Sequence, residues 1–213
     1  MPTIDSARSW YPDEDPVHGF DHVLRVYHLA ERIAQAEGAD LEIVRAAALL
    51  HDVEGSATTG GIEGRVAHHH SSAEFARQVL EEEGWPKERI DWVLHCIRAH
   101  RFRDQSERPQ TLEAKILFDA DKLDVLGAIG IVRTVGFSIV NGQPVYNPPS
   151  QKFLETGIKE AGEGHSSYHE YLFKLRKIKD MLHTPAARAL AESRHNFLAE
   201  FFDRLILEMR GEL

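Results

Sequence analysis

The sequence predicts an all-α protein, and three observations carry that prediction. Apolar residues recur at three-and-four spacing through most of the 213 residues. No alternating run is long enough to build a sheet. Capping and helix-stopping residues fall where the periodic stretches begin and end. The expected organisation is a single domain over 1–213: about five core helices within 16–135, a lid-like segment at 136–150 and a C-terminal helical cap at 151–213.

After Asp21, the residues Val23, Val26, Tyr27, Ala30, Ile33 and Ala34 share one helical face, and Gly38 is placed to end that helix. Asp40 then caps a second helix carrying Ile43, Val44, Ala47 and Leu50, with His51-Asp52 at its end. Val53 to Ala67, rich in Gly and Thr, has no periodicity and is expected to be a loop. Ser71 with Glu74 forms a capping box for a third helix through Glu83, closed by Gly84. Pro86 opens a fourth with Ile90, Val93, Leu94 and Ile97, and Thr111 caps a fifth with Ile116, Leu117, Ala120 and Leu123. The Pro- and Gly-bearing stretch from Gly136 to Ser150 is expected to be an excursion or lid. Two helices close the chain, Ser166 to Leu182 and Pro185 to Met209, the latter with Leu190, Phe197, Leu198, Phe201 and Leu205 as core residues.

Composition narrows the function classes. There are 25 Lys plus Arg against 34 Asp plus Glu, a net charge of −9, which argues against a protein that coats nucleic acid, because that affinity comes from cations neutralising phosphates. A single cysteine, Cys96, excludes an intramolecular disulfide and a Cys-based zinc cluster within one chain. Met1 to Asp15 is acidic and lacks an apolar core, and the near-apolar run Val125 to Val132 is too short to span a bilayer. A cytoplasmic protein with no membrane partner is expected. What stands out is 13 histidines.

At the end of the second helix, His51-Asp52 sets an imidazole beside a carboxylate where the backbone leaves the helix, so both can converge on one cation. On the fifth helix, a wheel of 100° per residue centres the apolar stripe near Ala120. Asp124 falls inside that stripe, Asp121 on its edge and Asp119 farther round the other flank. Carboxylates turned toward a core must be paired, hydrogen-bonded, neutralised or metal-bound. Pairing with Arg25 or Arg133 is the alternative to metal here. His22, in His18-Gly-Phe-Asp-His22, lies at the flank of the first apolar stripe, from which it can reach a cleft between helices.

Taken together, His22, His51-Asp52 and Ala120-Asp121-Lys122-Leu123 resemble the HD superfamily of metal-dependent phosphohydrolases. That pattern has a His on the first core helix, a His-Asp doublet at the end of a later one and an Asp further on. The stretches His18-Gly-x-Asp-His22-x-x-Arg-Val26, Asp119-Ala-Asp-Lys-Leu-Asp124 with Gly127-Ala-Ile-Gly130, and Lys174-Leu-Arg-x-Ile-Lys-Asp-Met181 with Thr184 are similar to the stand-alone bacterial members.

The resemblance implies His22, His51, Asp52 and Asp121 as ligands of one divalent ion (Mn, Ni, Co, Fe, Zn or Mg), with His69 and His100 as ligands of a second ion or as phosphate contacts. Imidazoles favour the transition metals, while the carboxylates keep the site open to harder ions. Such an ion supplies an activated water and neutralises charge at a phosphoryl group, so the chain need not be basic overall. Arg25, one turn beyond His22, and Lys122, beside Asp121, are the first residues expected to meet the substrate's phosphates, with Arg133 and Lys115 behind them. Asp124 is expected to position a ligand, and Glu54 to act as general base. Other members often carry their acidic residue three positions after the doublet, where this chain has Gly55. The implied substrate is a small phosphorylated metabolite, a nucleoside or deoxynucleoside triphosphate first of all. A nucleotide phosphomonoesterase or phosphodiesterase, a dinuclear-iron oxygenase and a silent nucleotide-binding module are the alternatives, in a monomer or homodimer.

Overall fold

The computed structural model describes residues 1–11, 19–53, 61–101 and 107–213. Among these there are ten α-helices, one 3₁₀ segment and no strand, as expected of an all-α chain. The residues fall into two compact units, Met1–Asp121 with Leu182–Ala187, and Lys122–Met181 with Arg188–Leu213.

The first unit is built around its most apolar helix. It contains α1 (Ile4–Arg8), α2 (Phe20–Glu37), α3 (Leu41–Leu50), α4 (Gly61–Glu82), α5 (Lys87–Ala99) and most of α6 (Leu112–Leu123). α3 touches α1, α2, α4 and α5, and seven of its ten residues are buried. A helix apolar all round belongs in the middle of its unit. Asp40 starts it, accepting from the N–H groups of Glu42 at 3.0 Å and Ile43 at 3.2 Å. Arg89 of α5 grips the same carboxylate at 2.8 and 3.1 Å, and that hydrogen bond holds the Asp40 carboxyl below its ordinary range. Gly38, at φ 72°, ends α2 in the left-handed conformation that the sequence anticipates. Thr111 likewise caps α6, accepting from Ala114 N–H at 3.1 Å.

The expectation for the third helix needs correction. α4 is continuous from Gly61, so part of the expected loop is helical and Ser71 lies inside the helix rather than capping it. Its buried positions His69, Ser72, Ala73, Ala76 and Leu80 keep helical spacing, but the first two are polar and invisible to a search for apolar periodicity.

The second unit contains α7 (Gly127–Val140), α8 (Gln151–Thr156), α9 (Ser167–Phe173), the 3₁₀ segment Leu175–Met181 and most of α10 (Pro185–Met209). α7 covers the apolar run and continues through Gly136, so the excursion begins only at Asn141. Gly130 is there for space: a Cβ at this position would lie 2.1 Å from the Val125 carbonyl oxygen. The excursion is tied down at both ends. Ser167 N–H donates to Pro144 O at 3.3 Å, and Tyr168 N–H to Val145 O at 3.1 Å. Glu163 accepts from Ser150 N–H at 2.8 Å and Ser150 Oγ–H at 2.7 Å, and pairs with buried His169 at 3.0 Å. Burial pushes the Glu163 carboxyl up, but the donors on Ser150, Glu160 and His169 outweigh it and bring it down to about 2. The helix expected from Ser166 to Leu182 is split, with α9 giving way to the tighter 3₁₀ segment. On α10 the buried stripe is Ala187, Ala191, Leu198 and Phe202, whereas Phe197 is 52 % exposed.

Candidate metal centre

Two helix ends of the first unit present histidines in the same way. His51 is the C-terminal cap of α3 and His100 that of α5. Each turns its ring back over its own last turn, placing Nδ1 2.9 Å from Ala48 O and 2.6 Å from Ile97 O, respectively. A carbonyl oxygen can only accept, so Nδ1 carries a proton in both rings, and in a neutral ring Nε2 then keeps its lone pair. These bonds also satisfy carbonyls that a helix end leaves without a partner. His51 Nε2 is buried and has no hydrogen-bond partner among the described residues.

Around that nitrogen the sequence-predicted residues converge. His22, 2 % exposed, enters from the first turn of α2. Its Nε2 lies 3.4 Å from Asp121 Oδ1 and 3.8 Å from Asp52 Oδ2. Asp52 Oδ2 lies 3.7 Å from His51 Nε2, while Asp52 Oδ1 lies 3.6 Å from His100 Nε2. His22, His51 and Asp52 can each offer an atom such that all three lie within 4.8 Å of one another, which is a cation-sized grouping. Asp121 approaches through His22, from the last full turn of α6.

Electrostatics suit a cation. Burial disfavours the charged form of His51 and brings its pKa down to about 4, with neighbouring His100 and His22 acting in the same direction against the pull of Asp52 and Asp121. The imidazole is therefore neutral near pH 7, as a metal ligand must be. A buried imidazole nitrogen with no hydrogen-bond partner, facing a second imidazole and two carboxylates, is a donor set that fits a divalent ion.

Other predicted residues take several places. His69 is buried on α4, its ring 4.1 Å from that of His70. Arg25 on α2 and Lys115 on α6 are half-buried in the first unit, and Lys122 is half-buried at the start of the second. Within that second unit, buried Asp124 is ion-paired with Arg133, so the arginine pairing that stood as the alternative holds for Asp124. Glu54 lies outside the described residues.

Asp119 departs from its expected place on the flank of α6. It is fully buried because the segment Leu182–Ala187 returns over it. Its carboxylate accepts from His183 N–H at 2.8 Å, and from Thr184 N–H and Oγ–H at 2.7 Å each. Thr184 in turn caps α10 by accepting from Ala187 N–H at 3.3 Å. Burial raises the Asp119 carboxyl above its ordinary value in spite of these donors. Tyr11, which sequence periodicity does not single out, donates its hydroxyl to Leu49 O at 2.9 Å, next to the His51-Asp52 turn.

Residues 19–126 match the HD domain family. The Bacillus subtilis protein YpgQ is 34 % identical over 214 residues, covering 97 % of this chain and 94 % of that protein. The crystal structure of Bacillus subtilis YpgQ in complex with ADP is similar at a TM-score of 0.74 and 32 % identity, covering 98 % of this chain and 99 % of that one. An HD-superfamily hydrolase from Bacillus thuringiensis is similar at a TM-score of 0.71 and 28 % identity, over 97 % of this chain and 96 % of that one.

Proposed function

The chain belongs to the HD domain family, and on that premise we propose that it is a metal-dependent phosphohydrolase of a small phosphorylated metabolite, foremost a nucleoside or deoxynucleoside triphosphate split into monophosphate and pyrophosphate. HD domain proteins bind divalent metals, and His22, His51 and Asp52 could hold one. The observation that carries the proposal is the buried His51 Nε2, turned by its backbone bond toward His22, Asp52 and, through His22, Asp121. YpgQ's complex with ADP supports a nucleotide as the phosphorylated compound.

When bound, a divalent ion supplies water activation and charge neutralisation at a phosphoryl group. The chain's own residues do the remaining work. His51, neutral near pH 7, keeps a lone pair aimed into the cluster, and Asp52 lies between His51 and His100. Arg25, Lys115 and Lys122 are the proposed phosphate contacts, and His100 with His69 is assigned to a second ion or to phosphate. With a net charge of −9, a small anion met by one buried cation suits the chain better than a polyanion spread along it.

A panel of nucleoside mono-, di- and triphosphates incubated with Mn²⁺, with phosphate and pyrophosphate measured separately, tests the reading. Pyrophosphate release from triphosphates is expected. Phosphate release from monophosphates would move the assignment to a phosphomonoesterase, and no turnover of any member would overturn the nucleotide assignment.

A further inference from the structure

Tyr11 stands just beyond α1 and reaches two of the helices that carry the cluster. Its ring packs against Phe20, the first residue of α2 and two positions before His22, with centroids 5.6 Å apart. Its hydroxyl donates to Leu49 O of α3 at 2.9 Å, in a buried setting. Asp52 acts on the same hydroxyl through both its backbone N–H and its carboxylate charge.

The last carbonyls of a helix lack intrahelical donors, and a buried one must find a partner elsewhere. Here the Ala48 carbonyl is taken by the ring of His51 and the Leu49 carbonyl by Tyr11. The turn that follows is thus held at two successive carbonyls, one of them by a side chain from outside α3. The turn carries both members of the His-Asp doublet. A side chain that fixes the backbone of a ligand pair acts on the metal without touching it.

We propose that Tyr11 is a positioning residue for the metal centre: by holding the Leu49 carbonyl it fixes the turn that presents His51 and Asp52, and so sets the affinity and geometry of the ion. The proposal rests on the reading of His22, His51, Asp52 and Asp121 as metal ligands, and the experiment separates the two. Chelator-stripped wild type, Tyr11→Phe and Phe75→Leu are titrated with Co²⁺, following its visible absorption. Phe75→Leu is the control, because Phe75 holds Trp10 on the same N-terminal arm, at 5.7 Å between rings, and contributes no hydroxyl.

Tyr11→Phe keeps the ring on Phe20 and loses one donor, so helicity should be retained while Co²⁺ affinity falls about 10-fold and the absorption band shifts. Phe75→Leu should bind as wild type does. Equal affinity and an unchanged band in Tyr11→Phe overturn the proposal. Equal weakening by both variants overturns it too, since the arm would then act by packing alone. Loss of helical signal in Tyr11→Phe also overturns it, because the hydroxyl would be holding the fold. If wild type binds no Co²⁺, the metal reading fails and takes the proposal with it.

Discussion

His51 performs two tasks with one ring, closing its helix through Nδ1 and offering Nε2 to the cluster. Its pKa of about 4 makes a sign-definite prediction for the metal-free protein. Unfolded, the ring titrates near its ordinary value of ~6.5. Between those two values the unfolded chain binds more protons than the folded one, so stability rises with pH. The contribution is full above ~6.5 and is lost as pH falls toward 4, an upper bound of about 3 kcal/mol for one group. Urea unfolding in chelator at pH 7.5 and 4.5 should therefore show a steeper loss in wild type than in His51→Gln; equal losses would remove His51 as the cause. Asp52 is the second test at this scale, because it lies between two histidines and could hold an ion with His22 and His51. Asp52→Ala should abolish metal binding and turnover while leaving the helical circular dichroism intact. Full activity in that variant would refute the assignment. Among the acidic residues of α6, the sequence separates Asp121 from Asp119 only partly: a helical wheel sees its own helix, whereas Asp119 is buried by a segment more than 60 residues away in the chain.

Helices whose buried face is apolar are legible in the sequence, and helices whose buried face is polar or glycine-bearing are not. α2, α3, α5 and α6 appear where periodicity and caps put them, with Asp40 and Thr111 making the bonds expected of them. On α4 the buried stripe around the expected start at Ser71 is polar, with His69 and Ser72 in it, so apolar periodicity does not carry the helix back beyond that point. α7 escapes because three glycines interrupt an apolar run that is nonetheless helical. Those glycines differ in kind, and the difference can be measured. A Cβ at Gly130 would meet the Val125 backbone at 2.1 Å, while Gly136 has nothing within 4 Å. Gly130→Ala should lower the melting temperature by several degrees, since backbone must shift. Gly136→Ala should raise stability by about 0.5–1 kcal/mol through helix propensity alone. Thermal melts of the two variants check both signs, and a neutral Gly130→Ala would contradict the close approach. The register on α10 shows the limit of counting apolar residues: Phe197 and Phe201 both read as core, yet Phe197 is 52 % exposed, Phe201 is half-buried, and the fully buried ring is that of Phe202.

Over the whole molecule, the −9 charge and the 13 histidines describe an acidic, histidine-rich chain, and the described histidines occupy different settings. His22, His51 and His100 meet in one buried cluster, whereas His169 serves the hydrogen-bond network around Glu163. No single helix among the described residues is long and apolar enough to cross a membrane. If the cluster forms only in the folded chain, a bound ion stabilises the fold by mass action: Mn²⁺ at a hundred times its Kd should add about 2.7 kcal/mol, and chelator should remove it. A melting temperature indifferent to both would mean that the fold and the ion are not linked. The most direct measurement of the central claim is an anomalous-difference map from crystals grown with Mn²⁺. The account predicts a peak within about 2–2.5 Å of His22 Nε2, His51 Nε2 and carboxylate oxygens of Asp52 and Asp121; a map with no peak among those four side chains would contradict it.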